Sequence, residues 1–262
     1  MIPIITVTYS KDIYVMLLQA HSVEQFVVDP TIHYIYIEDD AIPLREWESL
    51  LIPIYKRHQV VLIYQQLNLP NLCGYFQQQY LKLALSSKLS NEYILSLDSK
   101  NVFCKNINLH ETFYGNDGGS SEQIDIHTTH HEWASYYMPW INIVERLTNS
   151  KSPKQRFPST PFVFKNSSLK KMNTSVNIKQ LFTDEIANTV TKPSEYLLYN
   201  FFNEDSGEAR WWSTENGVFT VFRRDLEDSP GYREETRKFL IDCGLDPIYV
   251  NPAVDLTSQH NR

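Results

Sequence analysis

The run Asp98-Ser99-Lys100-Asn101 sets a carboxylate and an ammonium two residues apart, and these are candidates for chemistry. It follows at once on Tyr93 to Leu97, YILSL, a short apolar run of the kind buried on both faces of a parallel sheet. In an open α/β sheet, ligands bind at the carboxyl ends of the strands. There a carboxylate can ligate a hard cation, and an ammonium can pair with a phosphate. Asp, Ser and Asn are also ordinary turn residues, so the run reads either as a site or as a solvated turn.

Three further places carry chemistry-bearing side chains. Thr8-Tyr9-Ser10-Lys11-Asp12 leaves the end of the first apolar run, where backbone N–H groups and a helix start can receive a base or a phosphate. The same residues read equally well as a turn in which Ser10 or Asp12 caps the helix. Glu195 sits in the first turn of a helix, where a carboxylate stabilises the helix dipole by default. His127, His130, His131 and Glu132, followed by Trp133, invite a metal reading, but the order is HxxHHE and not HExxH. No clear helix surrounds them, so they read as substrate contact or plain surface.

The elements that must position these groups alternate. A β-branched strand over Ile2 to Thr8 is followed by a helix from about Ile13 to Phe26, with Val15, Leu18 and Val23 turned inward. His33 to Ile37 is the second strand, a helix runs from Pro43 through Leu51, and Gln59 to Tyr64 is the third strand. A helix opening at Gly74 carries Leu81, Ala84 and Leu85 at i, i+3 and i+4. With YILSL the order is β-α-β-α-β-α-β, which predicts a parallel sheet with right-handed crossovers. Neither a GxGxxG nor a GxxxxGK[ST] pattern is present, which argues against dinucleotide-binding and P-loop chemistry. A nucleotidyltransferase would want a glycine-rich basic loop after the first strand, and TYSKD has no glycine.

Beyond residue 104 the periodicity weakens. Gly115 to Gly119 is a loop, and a helix is expected from Trp140 to Leu147. The proline-rich stretch 150–163 reads as a crossing loop, followed by a strand over Phe162 to Phe164 and a helix over Ser167 to Met172. Further helices are expected from Asn177 to Asn188 and from Pro193 onward, then a strand over Gly217 to Phe222. A last helix, Tyr232 to Cys243, would end at Gly244.

Composition bounds the function class. The chain has 262 residues, 42% hydrophobic and 21% charged, which is the range of a folded domain. Its net charge of -7 argues against a broad nucleic-acid surface. Aromatic residues at 13%, among them 16 Tyr and 5 Trp, suit carbohydrate stacking, although core packing uses the same rings. Cys73, Cys104 and Cys243 show no CxxC spacing, which fits a reducing cytoplasm better than a disulfide framework or a zinc site. No window approaches the roughly 18 apolar residues of a membrane helix, and the N-terminus lacks a signal-peptide pattern. Peripheral contact with the inner face of a membrane is left open.

The blocks TVTYSKD, GYFQQQYLKLA, YILSLDSKN, TPFVFKN and SEYLLYNFF follow one another in an order that resembles a family of bacterial glycosyltransferases with a GT-A fold. Such proteins are associated with polysaccharide and lipopolysaccharide assembly. The resemblance implies one α/β, Rossmann-like domain with a mostly parallel sheet flanked by helices. Residues 1–104 would bind a nucleotide-sugar donor, and 105–262 would bind a glycan or lipid-linked acceptor. Thr8, Tyr9, Ser10 and Asp12 match the loop that holds the nucleotide, and Gln78 and Lys82 match a helix whose polar side chains face the donor. Asp98-Ser99-Lys100 matches the position of the DxD motif, whose two carboxylates hold Mg²⁺ or Mn²⁺ against the diphosphate. Lys100 replaces the second carboxylate. Asp98 then either supports a metal with other ligands, the reading preferred here, or Lys100 takes over the charge and the metal is dispensable. Inverting transfer needs a base, and Glu195 is the first choice, ahead of Asp184, Glu185 and the histidine cluster. His127, His130, His131 and Trp133 are expected on the acceptor. A nucleotide-sugar-binding protein without catalysis is the competing expectation.

Overall fold

Strand β1, Ile4–Thr8, is buried at all of its positions, because it runs through the middle of a sheet covered on both faces. The computed structural model describes residues 1–39, 41–64, 74–114, 138–139, 141–146, 149, 160–182, 195–200, 217–221 and 230–245. After β1 come α1 (Ile13–Phe26), β2 (Ile32–Ile37), α2 (Leu44–Leu51), β3 (Gln59–Tyr64), α3 (Gly74–Ser86) and β4 (Tyr93–Asp98). Then follow β5 (Asn101–Phe103), α4 (Leu109–Tyr114), β6 (Phe162–Lys165), α5 (Asn166–Ser175), α6 (Glu195–Asn200), β7 (Val218–Thr220) and α7 (Pro230–Asp242).

The main sheet has the order β3-β2-β1-β4-β6, parallel except for β6, which pairs antiparallel with β4. A second sheet pairs β5 with β7. The alternation expected from the sequence is therefore the alternation found. Strand order reverses between β1 and β4, which are neighbours although two strands and three helices separate them in the chain. Such a switch point opens a crevice at the carboxyl ends of the strands.

The pleat decides which face each residue serves. Ile5 and Val7 of β1 and Ile94 of β4 join one core with Phe76, Leu81, Leu83 and Leu85 of α3. Ile4, Leu95 and Leu97 join the opposite core with Val15, Leu18 and Val23 of α1. The inward side expected for α1 is thus correct, but Ile13, Met16, Leu17 and Ala20 are buried too. They meet Ile35, Ile37 and Trp47 in a third cluster. Asp98, two residues beyond Ser96 and four beyond Ile94, falls by the same period on the face of α3.

Some boundaries differ from expectation. β4 includes Asp98, and the strand after the crossing loop runs to Lys165. Of the helix expected from Asn177, residues 178–182 are helical, and the stretch beyond 182 lies outside the described residues. Of the helix expected over 140–147, residues 141–146 are described as helical. The final helix ends as expected at Gly244, whose φ of 75° is a left-handed cap in which Leu245 N–H donates to Leu240 at 2.8 Å. Among the described residues no helix is long and apolar enough to cross a membrane.

Candidate active site

Lys82 lies on the buried face of α3 with only 2% of its surface exposed, an uncommon place for an ammonium. Its Nζ donates to Asp98 Oδ1 at the end of β4, to Glu195 Oε1 at 3.0 Å at the start of α6, and to the Tyr196 hydroxyl at 3.1 Å. An ammonium has three N–H donors, so these three partners saturate it. Asp98 Oδ2 in turn accepts from the Thr160 hydroxyl at 3.0 Å and lies 3.4 Å from Lys100 Nζ. Burial alone would raise the Asp98 pKa. Lys82 and Lys100, with the hydrogen bonds from Lys82 and Thr160, outweigh it and hold the carboxyl well below the usual carboxylate range. Burial disfavours the Lys82 cation, but the charges of Asp98 and Glu195 win and hold its pKa well above the ordinary value.

Aromatic packing fixes the third corner of this cluster. Tyr196 stacks on Phe162 of β6 with ring centroids 4.3 Å apart, and Tyr199 meets Phe164 edge-on at 5.0 Å. The Tyr199 hydroxyl also accepts from the Lys165 backbone N–H at 2.8 Å. β6 thus anchors α6, and α6 delivers Glu195.

From the other face of the sheet, Gln19 of α1 grips the turn after β4. Its Nε2 donates to the carbonyls of Asp98 at 2.7 Å and Asn101 at 2.8 Å. Asn101 Oδ1 accepts from the Asp98 N–H at 2.8 Å. The Thr6 hydroxyl gives its proton to Gln19 Oε1 at 2.8 Å, so it can only accept from His33. His33 therefore carries its proton on Nε2, and Nδ1 accepts from the Tyr55 hydroxyl at 2.6 Å. Burial, aided by His58, pushes the His33 pKa down to about 3 and keeps the ring neutral. One directed chain of hydrogen bonds thus runs from Tyr55 to the backbone at Asp98.

The turn after β1 lies across the crevice. Ser99 Oγ reaches Asp12 Oδ2 at 3.3 Å, and the Asp12 N–H donates to Tyr9 O at 2.9 Å. The Ser10 N–H sits 3.0 Å from both carboxylate oxygens of Asp39, just beyond β2. The Tyr9 hydroxyl donates to the Gly74 carbonyl, and a Cβ at Gly74 would come within 3.1 Å of the Tyr9 Oη. A side chain at 74 would need the Tyr9 ring to give way by a few tenths of an ångström.

Next to Tyr9, the buried Glu38 is pushed up to about 7 by desolvation, with Asp39 adding and the Tyr9 hydroxyl and Lys11 opposing. A carboxyl raised in the fold binds more protons than the unfolded chain between the ordinary glutamate value of 4.5 and about 7. Its contribution is therefore full below that window and is lost as pH rises through it. The melting temperature is expected to fall between pH 5 and 8 in the wild type and to fall less in Glu38→Gln, measured by scanning calorimetry. Asp98 titrates in the opposite sense and only at acid pH, so the two do not overlap.

The structure brings together Asp98, Lys82, Glu195 and Lys100, and joins Ser99 to Asp12. Gln78 lies on the same helix, but its amide donates to Val7 O at 2.9 Å and so ties α3 to the sheet. Thr8 is fully buried. His127, His130, His131 and Trp133, with Asp184 and Glu185, lie outside the described residues. Gln19, Thr160, Tyr196 and Asp39 were not singled out from the sequence. Only their contacts mark them, since each is an ordinary polar residue in its own segment.

Among the described residues, the donor set at Asp98 does not fit a divalent cation. Both its oxygens are engaged, by Lys82 on one side and by Thr160 and Lys100 on the other. The other carboxylate of the cluster, Glu195, is held on the same ammonium. Among the described residues no group of three or more His, Cys, Asp or Glu is placed to hold a metal ion.

No curated protein matches the chain in sequence. Among solved structures, the fold is similar to that of an active-site mutant of LgtC, with a TM-score of 0.55 and 9% identity, covering 92% of this chain and 96% of that one. It is also similar to the apo form of the glycosyltransferase GlyE of Streptococcus pneumoniae TIGR4, with a TM-score of 0.52 and 10% identity over 98% of this chain. This chain spans 63% of that GlyE chain, and 49% of the chain in a second GlyE structure. At such identities the likeness is one of fold, and it bears out the GT-A-type α/β fold expected above. The family described as DUF6492, a family of unknown function, matches residues 2–226, and the chain belongs to it.

Proposed function

We propose that the chain is a glycosyltransferase that moves a sugar from a nucleotide-sugar donor to a glycan or lipid-linked acceptor in bacterial surface-polysaccharide synthesis. One observation carries the reading: Asp98, Lys82, Glu195 and Lys100 converge at the switch point, opposite the Tyr9–Asp12 turn. That is where open α/β sheets bind nucleotides. The solved structures of similar fold support it. In this reading residues 1–104 hold the donor and 105–262 the acceptor, with His127, His130, His131 and Trp133 among its contacts. The sugar's C1–O bond breaks with its electron pair going to the diphosphate. The acceptor hydroxyl oxygen bonds to C1 and gives up its proton to a base. Glu195 is 3% exposed and ion-paired to Lys82, which suits a group acting through Lys82 better than one touching the acceptor.

The test is a thermal-shift screen against UDP-, GDP-, CMP- and ADP-sugars, followed by release of nucleotide from the sugar that binds. One class is expected to raise the melting temperature, because a ligand specific to the native state stabilises it. Asp98→Asn is expected to slow nucleotide release roughly a hundredfold, the scale seen on removing one electrostatic group from an active site. Stabilisation by none of these sugars would refute the reading. A binding protein without catalysis is favoured by one feature, the complete pairing of both carboxylates with ammoniums. Tight donor binding with no nucleotide release, with or without acceptor glycans, would select it.

A further inference from the structure

Among the described residues, two carboxylates, Asp98 and Glu195, and two ammoniums, Lys82 and Lys100, make up the charge of the cluster, which sums to zero. Lys82 bridges the carboxylates as a cation would, but it does so from inside the protein, 2% exposed and with each donor used. A divalent ion ligated by Asp98 would have to displace Lys82 or Lys100 from the same oxygens and settle beside both positive charges. Magnesium and manganese also want several oxygen ligands, and the cluster offers few that are not already engaged. The Lys100 side chain is 39% exposed at the mouth of the cluster, in reach of a ligand. An ammonium there can meet phosphate oxygens as a point charge.

We infer that the Lys82 ammonium takes the place of a divalent cation at this site, and that the diphosphate of a nucleotide sugar is met by Lys100 without bound metal. The inference rests on the reading of the crevice as a nucleotide-sugar site. It assigns different work to the two lysines. Lys82 neutralises and orients Asp98 and Glu195, and Lys100 faces the ligand. It also gives the departure from Asp-x-Asp a physical sense: a second carboxylate at 100 in place of the ammonium would take the cluster from neutral to a charge of −2, the charge one divalent cation balances.

The experiment uses the full chain, with pyrophosphate as the diphosphate probe and MnCl₂ as the metal. The expected result is a rise of at least about 2 °C in melting temperature with saturating pyrophosphate. It should be the same in EDTA as in Mn²⁺, and lost in Lys100→Ala. MnCl₂ alone should leave the wild type unmoved. Lys100→Asp, which restores the second carboxylate, should be stabilised by MnCl₂ alone, and titration calorimetry should find a Mn²⁺ site in it and none in the wild type. The inference is overturned by a sub-millimolar Mn²⁺ site in the wild type. A pyrophosphate shift that appears only with Mn²⁺, or no shift in either buffer, overturns it as well. If pyrophosphate binds without metal while no nucleotide sugar does, the proposed function fails and the metal-free phosphate site stands.

Discussion

Lys82→Met is expected to destabilise the protein by about 3–5 kcal/mol, the range for removing one partner of a buried ion pair. The variant keeps the carboxylates of Asp98 and Glu195 close together, the latter 3% exposed, and takes away the cation between them. In a chain of this length that corresponds to a fall in melting temperature of roughly 6–20 °C. Lys82→Met/Glu195→Gln should recover part of the loss, because it removes one of the stranded charges; a double-mutant cycle measures the coupling. Lys82→Arg should not restore the wild type, since a guanidinium is larger and holds its five donors in one plane, whereas the three partners here surround a compact ammonium. The directions of the titrations add a check. Asp98 is held below its usual range, so its contribution is present at neutral pH and is lost as pH falls through the acid range. Lys82 is held above its usual value, so its contribution is present below that value and is lost only in strong base. Across neutral pH the wild-type cluster's contribution is expected to be flat.

Gln19→Leu is the second large effect. Leucine approximates the volume of glutamine in a fully buried site, but it strips hydrogen bonds from the carbonyls of Asp98 and Asn101 and leaves the Thr6 proton without its acceptor. Leaving buried polar groups unsatisfied costs roughly 2–4 kcal/mol in total. The damage should extend to function, because the turn carrying Asp98 to Asn101 loses its tie to α1. Weaker pyrophosphate binding alongside the lower melting temperature is the expected signature, read by titration calorimetry. A Gln19→Leu protein that melts like the wild type would show that the chain from Tyr55 to Asp98 does not support the turn. Gln19→Glu distinguishes shape from hydrogen bonding: it retains the acceptor for Thr6 and loses the donors to both carbonyls.

Much of this was legible because the strands are short, apolar and separated by periodic helices. TVT, HYIYI and YILSL announce themselves as buried strands, and their alternation with helices leaves few topologies. Asp98 was legible as the residue that ends such a strand. Lys82 and Glu195 were named through the family resemblance, but their pairing with each other and with Asp98 was not legible. Lys82 lies 16 residues before Asp98 and 113 before Glu195, and neither spacing carries a local signal. On α3, Lys82 looks like any polar residue of an amphipathic helix until the fold turns it inward. Gln19 hides in the same way, in a helix whose nearly all-round burial blurs the usual contrast between faces. The antiparallel placement of β6 was equally invisible. A four-residue strand does not declare its direction, and only its seating beside β4 brings Phe162 and Phe164 under the rings of α6.

The three corners of the Lys82 cluster leave the ribosome at different times. Lys82 and Asp98 emerge close together, and the parallel β1–β4 core can form around them while the rest is still being made. Glu195 arrives about a hundred residues later, bringing the tyrosine that completes the ammonium's coordination. A nascent chain halted between those points lacks Glu195 and Tyr196, two of the three acceptors that surround the Lys82 ammonium, so the order of synthesis sets when its coordination can be completed.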